Sequence, residues 1–248
     1  MSFEARVKAT QDLIREAGAH APVSLALSLG VEDMVLLDFI HSYNQTLSAP
    51  QAGVDAPALS APNPSAKIEA FVLDTGRLHE ESYTLLASLS TRYPKVKIRV
   101  FFPQAAAIEQ FVRLNGINGF YESIGQRKGC CEIRKVEPLR RALAPLKAWI
   151  TGLRREQSPT RQDLSTKEDD TSFGLLKFNP LLDWSTDDVW RYVREHNVPT
   201  NALHDQGYPS IGCAPCTRAI QPGEDIRAGR WWWESADQKE CGLHAQPK

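Results

Sequence analysis

The sequence predicts an α/β protein built on a doubly wound, mostly parallel sheet. Short apolar runs rich in β-branched or aromatic residues recur along it, helical patterns separate them, and the alternation persists through most of the chain. A strand buried on both faces reads as such a continuous apolar run rather than as strict alternation.

Taken in order, PVSLALSL (22–29) is the first strand and 32–43 the helix after it. KIEAFVLD (67–74) leads into a helix over 79–92, and KVKIRVFF (95–102) into one over 104–115. A further helix is expected over 133–144, then strands at AWITGL (148–153) and LLKFNPL (175–181). In STDDVWRYVREH, Ser185 is placed to cap a helix whose first turn is acidic and whose next turns carry an apolar face. Two stretches interrupt the pattern. NQTLSAPQAGVDAPALSAPNPSA (44–66) has the composition of a flexible insertion. REQSPTRQDLSTKEDDTSF (155–173) follows a strand end at the carboxyl edge of the sheet, where it is expected to be an active-site lid or a plain surface loop. There is no internal repeat.

Composition excludes several classes of function. The 29 Lys and Arg residues nearly balance 30 Asp and Glu, which removes any global argument for nucleic acid or an anionic membrane. Basic residues still gather at 127–141, 153–161 and 218–230, a distribution suited to a small anionic ligand or to ordinary solvated surface. The first twenty residues are an amphipathic mixture with acids and no apolar core, unlike a secretory or transit signal. No run is long enough to span a bilayer. A cytoplasmic protein is expected, and there five cysteines point to metal, cluster or redox chemistry rather than to disulfides.

Four of those cysteines come as two pairs. Cys130 and Cys131 are adjacent within GQRKGCCEIRKVEPLRR, where a mutual disulfide would close a strained small ring. Cys213 and Cys216 form C-A-P-C, a chelate spacing stiffened by Pro215. Zinc in a closed four-cysteine site uses two spaced pairs, and the adjacent pair lacks that spacing. An iron–sulfur cluster offers several metal atoms, so neighbouring cysteines can ligate different irons. Zinc and simply buried thiols remain alternatives, as does a C-x-x-C redox motif on Cys213 and Cys216 that would leave the first pair unexplained. The fifth, Cys241, lies in the polar segment DQKECGLHAQPK, expected to be mobile, where an accessible thiol is either a nucleophile or an idle surface group.

Other groups are candidates for anion binding. SLGVEDMVLLDF (28–39) places Ser28 and Gly30 ahead of a helix, a cap or an anion-facing turn, and matches neither the dinucleotide nor the Walker pattern. LDTGRLHEESY (73–83) brings Asp74, Thr75 and Gly76 to the end of the second strand. Arg218, Arg227 and Arg230 could hold phosphate or sulfate, and tryptophans 231–233 are expected to anchor the terminal segment.

The order C-C, C-A-P-C-T-R, R-W-W-W-E and K-E-C-G-L-H, with S-x-G-x-E-D and L-D-T-G-R before it, resembles the assimilatory adenylylsulfate reductases over about residues 20–245, the 44–66 stretch aside. The resemblance implies a Rossmann-like sheet of the adenine-nucleotide hydrolase or PP-loop type. Residues 1–205 would be the nucleotide-binding domain, and 206–248 a segment carrying the second cysteine pair and a mobile redox tail. It implies one [4Fe–4S] cluster per chain on Cys130, Cys131, Cys213 and Cys216, with Cys241 as catalytic nucleophile. The substrate implied is adenylylsulfate (APS), bound by Ser28, Gly30, Leu73, Gly76, Lys135, Gly152, Arg227, Arg230 and His244. The electron donor implied is thioredoxin or a glutaredoxin-like protein. The nearest alternative is 3′-phosphoadenylylsulfate (PAPS) as substrate; a cluster-bearing nucleotide sensor is the remoter one. Oligomeric state is left open.

Overall fold

The computed structural model describes residues 1–47, 66–157 and 163–235. In chain order the elements are α1 (Phe3–Gly18), β1 (Val23–Ala26), α2 (Val31–Thr46), β2 (Glu69–Leu73), α3 (Glu80–Arg92), β3 (Ile98–Phe101) and α4 (Ala105–Asn115). There follow α5 (Ile124–Cys131), a π turn (Glu132–Val136), α6 (Glu137–Leu143), β4 (Ala148–Ile150), β5 (Lys167–Asp170), β6 (Leu175–Phe178) and α7 (Thr186–His196). The strands form one sheet in the order β3-β2-β1-β4-β6-β5. All neighbours are parallel except β5, which runs antiparallel to β6.

The side chains of the five parallel strands alternate between two cores. Leu25, Ala70, Val72, Ala148 and Ile150 face a core shared with Ile14, Leu36, Ile40, Val189 and Tyr192 of the helices α1, α2 and α7. Between them, Phe71 and Trp149 point to the opposite face, against Leu139, Ala142 and Leu143 of α6. The sheet is therefore covered on both sides, which is why its strands read as continuous apolar runs. Trp149 is 1 % exposed, and truncating such a side chain to alanine costs about 3–5 kcal/mol.

Helix starts follow local chemistry. Ser185 accepts from the Asp188 backbone N–H while the Asp188 carboxylate accepts from Ser185 N–H, the capping box expected from the sequence. Ser2 caps α1 and Ser123 caps α5 through their hydroxyls.

Three expectations of the sequence are corrected. The expected helix at 133–144 is the end of a continuous helical run that begins at Ile124. The 44–66 stretch does not begin as an insertion, because α2 continues to Thr46. Asn44 is buried there, its Nδ2 donating to the Ile68 and Lys95 carbonyls at 2.9 Å each and its Oδ1 accepting from Ile68 N–H at 3.0 Å. A polar residue thus satisfies backbone at the entrances to β2 and β3; residues 48–65 lie outside those described. Likewise 155–173 is not all loop: Arg155–Gln157 is a 3-10 turn and Lys167–Asp170 pairs along β6. Lys-Glu-Asp-Asp has little strand preference, and charge of this kind suits an exposed edge that must not recruit another strand.

Among the described residues no helix is long and apolar enough to cross a membrane.

Candidate active site

Strand order turns at β1, with β2 and β3 on one side and β4 on the other. In open α/β sheets the carboxyl ends on either side of that turning point leave a crevice. Here it widens into a cavity of about 570 Å³, walled by Ser28–Asp33 after β1, Leu73 and Thr75 at the end of β2, and Thr151–Arg154 after β4. Residues 207–212 and 226–231 of the C-terminal segment close the other side.

The end nearest α2 is acidic. Ser28 donates to Asp33 Oδ2 through its backbone N–H at 2.7 Å and its hydroxyl at 2.5 Å. The Gly152 N–H also donates to this carboxylate. A Cβ on Gly152 would lie 2.3 Å from Asp33 Oδ1, so only glycine lets β4 approach this closely. Burial pushes the Asp33 carboxyl up to about 6, against the opposing pull of those Ser28 hydrogen bonds. Glu32 Oε1 accepts from Arg154 Nε and Nη2 at 3.0 and 2.8 Å, and from Gln157 Nε2 at 2.9 Å. The Ser28 amide is thus taken by the chain's own carboxylate, while the Gly30 amide donates to the Ser28 hydroxyl.

The other end is basic. Lys135, Arg227 and Arg230 line it, and Trp231, 1 % exposed, forms part of the wall. Arg230 lies over the Trp231 ring at 4.7 Å, and its Nη1 donates to the Ile211 carbonyl at 3.2 Å.

Beyond that wall stand four thiols. Cys130 and Cys131 end α5, and Cys213 and Cys216 bracket a one-turn 3-10 helix; all four are buried and free of disulfides. They pack in one apolar group with Phe120 and Trp231, and line one small space with Arg77, Arg127, Arg134 and Lys135. Long-range bonds bring the two pairs together. Arg134 Nη1 donates to the Thr75 carbonyl at 2.6 Å, and the Ala214 N–H to the Arg77 carbonyl at 2.8 Å. Arg127 meets Glu234 through Nε and Nη2 at 2.9 and 2.7 Å. Thr75 Oγ1 lies 3.2 Å from Cys213 Sγ.

Burial raises the Cys130 thiol, and raises Cys216 to about 12 with help from the neighbouring Cys213 and Cys131. For Cys213 burial is outweighed by Lys135, the Thr75 hydroxyl, Arg230 and Arg134, and the net shift is downward.

Of the residues singled out in the sequence, Ser28, Gly30, Leu73, Lys135, Gly152, Arg227 and Arg230 line the large cavity. Gly76 does not: it takes a left-handed φ of 71° in the turn after β2, and a Cβ there would lie 3.5 Å from Arg134 Nη1. Its role is to turn the chain past Arg134. Arg218 is also absent from the cavity, because Glu224 takes both ends of its guanidinium at 2.8 Å. Cys241 and His244 lie outside the described residues. Sequence reasoning missed Trp190 and His204, which meet edge to face at 5.5 Å and help line the cavity. It also assigned no role to Asp33, although the S-x-G-x-E-D stretch contains it.

Residues 22–219 match the family model of the phosphoadenosine phosphosulfate reductase domain. The chain belongs to that family. It is 49 % identical over 241 residues to an adenosine 5′-phosphosulfate reductase of Burkholderia cepacia, covering 97 % of this chain and 88 % of that one. It is 48 % identical to the enzyme of the same name from Allochromatium vinosum, over 90 % of this chain and 78 % of the other. Among solved structures, a phosphoadenylyl-sulfate reductase from Candida auris in complex with phosphate superposes with a TM-score of 0.64. The alignment covers 89 % of this chain and 98 % of that one at 23 % identity, a likeness of fold. The FMN adenylyltransferase of Candida glabrata shares the fold at 14 % identity, with a TM-score of 0.57 and 99 % and 77 % of the two chains covered.

Proposed function

We propose that the protein reduces adenylylsulfate to sulfite and AMP in sulfate assimilation, through an S-sulfocysteine on Cys241, with thioredoxin as reductant. One observation carries the reading: Lys135 lines both the nucleotide-sized cavity and the four-thiol space, so the basic end of the cavity adjoins the sulfur site.

Adenylylsulfate is a mixed anhydride whose sulfur is electrophilic and whose AMP is a good leaving group. The Cys241 thiolate attacks that sulfur; an S–S bond forms, the S–O bond to phosphate breaks, and AMP leaves with the electron pair. Lys135, Arg227 and Arg230 hold the phosphate and sulfate oxygens and offset the repulsion between two anions. A thioredoxin thiolate then attacks Cys241 Sγ, and sulfite leaves with the electron pair of the broken Sγ–S bond. Thioredoxin's second thiolate frees Cys241 by ordinary exchange. Ser28, Gly30, Leu73 and Gly152 position the nucleoside. The relatives at nearly half identity are named for adenosine 5′-phosphosulfate, which favours APS over PAPS as the substrate.

The four buried thiols fit a [4Fe–4S] cluster. As thiols they gain little from being gathered among cations, and as thiolates they would repel one another without a positive centre. Adjacent Cys130 and Cys131 lack the spacing of a closed four-cysteine zinc site, which favours a group of several metal atoms over zinc. Cys130, Cys131, Cys213 and Cys216 would be its ligands, and when bound it supplies a rigid link between α5 and the 213–216 turn together with fixed local charge.

Intact-mass measurement after anaerobic incubation with APS, without reductant, tests the reading. An SO₃ adduct on the wild type, missing from Cys241→Ser and released as sulfite by reduced thioredoxin, is expected. The same incubation with PAPS should give little adduct. No adduct with either nucleotide would leave a nucleotide-binding sensor instead.

A further inference from the structure

We propose that Leu114, Ile117, Tyr121, Ile124 and Trp232 form the docking surface for the dithiol protein that reduces Cys241. The proposal rests on the function just described and names where its second substrate binds.

Single exposed apolar side chains are ordinary, but clusters are not. Nine large apolar residues are the most exposed among those described, and four of the nine fall between residues 114 and 124, with Trp232 a fifth. Leu114 is 68 % and Ile117 61 % exposed, at the end of α4 and just beyond it. Tyr121 and Ile124 follow in the turn and first residue of α5, and the Trp232 ring lies 6.4 Å from that of Tyr121.

This surface is the outer side of the wall around the four thiols. Phe120 faces inward among the cysteines, and Tyr121 leans on it at 4.4 Å with its ring turned outward. The Tyr121 hydroxyl donates to the Pro215 carbonyl, between Cys213 and Cys216, at 2.5 Å. The three tryptophans divide in the same way: Trp231 is 1 % exposed, Trp232 40 %, and Trp233 packs edge to face on Tyr121 at 4.5 Å. A surface fixed by such contacts loses little freedom when a partner covers it.

The length of chain leading to Cys241 says where that partner must settle. The described chain ends at Ser235, three residues after Trp232, and Cys241 is six residues further on. The buried Arg127–Glu234 ion pair fixes the start of that segment. Six residues span at most about 20 Å, so whatever attacks Cys241 Sγ away from the cavity must settle on the surface around this root. Tyr121 and Trp232 stand at that root, and the exposed Leu114, Ile117 and Ile124 flank Tyr121 in the same short stretch of chain. In the step concerned, the partner's thiolate forms an S–S bond to Cys241 Sγ as sulfite leaves. The partner's second thiolate then displaces the Cys241 thiolate, and the partner ends as a disulfide. Attack must come in line with the breaking bond, and an apolar face that orients the partner serves that requirement.

The test uses the full chain carrying the double substitution Leu114→Asp and Ile117→Asp, and separately Ile117→Ser as a milder variant. Each is converted to the S-sulfo form with APS and checked by mass. Sulfite release is then timed with reduced thioredoxin and with dithiothreitol, which needs no docking surface. The second-order rate constant with thioredoxin should fall about tenfold or more in the double variant, while the dithiothreitol rate and adduct formation stay at wild-type values. An unchanged thioredoxin rate, or an equal fall with both reductants, would overturn the proposal. So would dissociation of a wild-type oligomer by the variants, which would give the surface to a second copy. Failure of the wild type to form the adduct would strike at the reaction itself, not at the docking surface.

Discussion

Glu234→Gln should destabilise the protein by about 3 kcal/mol or more. Arg127 and Glu234 are 0 % and 3 % exposed, and their two parallel hydrogen bonds of 2.7 and 2.9 Å make a bidentate pair. Removing the carboxylate charge leaves the buried guanidinium to the Trp231 ring, 4.7 Å away, and to Cys131, which offset only part of the loss. Breaking one partner of a buried pair costs about 3–5 kcal/mol. For a chain of 248 residues each kcal/mol lowers the melting temperature by about 2–4 °C, so a fall of roughly 10 °C is expected. Differential scanning calorimetry on anaerobically prepared protein measures it. The double variant Arg127→Met/Glu234→Leu, which removes both charges, should recover much of the loss. A fall below about 1 kcal/mol for Glu234→Gln would show the pair to be effectively solvated and refute the reasoning.

Other consequences follow from the cavity and the thiols. Asp33 is raised from 3.8 to about 6, so between those pH values the folded state holds a proton that the unfolded state has released. Its contribution is therefore fully present below the unfolded value and lost as pH rises through about 6, a fall of roughly 3 kcal/mol. Denaturant titrations of wild type and Asp33→Asn from pH 4 to 7 should show a stability difference that changes by that order, and a constant difference would contradict the assignment. Gly152→Ala drives a Cβ to within 2.3 Å of Asp33 Oδ1 and 3.0 Å of Glu32 Cβ, so it should cost about 1–3 kcal/mol and weaken AMP binding in calorimetric titration. Wild-type affinity in that variant would mean the β1–β4 crevice does not hold the nucleotide. Cys216→Ala should abolish the visible absorption and bound iron of anaerobically purified protein, with unchanged iron content pointing to different ligands.

Much of this molecule is legible one segment at a time. The alternation of buried strand and helix depends on neighbours in sequence, as does the Ser185–Asp188 capping box, and both are as expected. The paired cysteines and the cavity residues Ser28 and Gly30 stand out by spacing and type, whereas Lys135 and Gly152 are named through the family resemblance.

What the sequence could not disclose is which polar group meets which. Arg218 and Arg230 look alike as basic residues after the C-A-P-C motif, but Glu224 engages the first while the second reaches the cavity. Asn44 reads as the start of a polar insertion until its amide is seen satisfying Ile68 and Lys95. Lys167–Asp170 becomes a strand only because β6 offers it a free edge. Trp190 and His204 carry no local mark of the cavity they share, and Arg127 finds Glu234 across more than a hundred residues. Local preference and residue type determine the elements and the chemistry available. The desolvation of each charge, and therefore its partner, is decided only when the chain closes and water leaves.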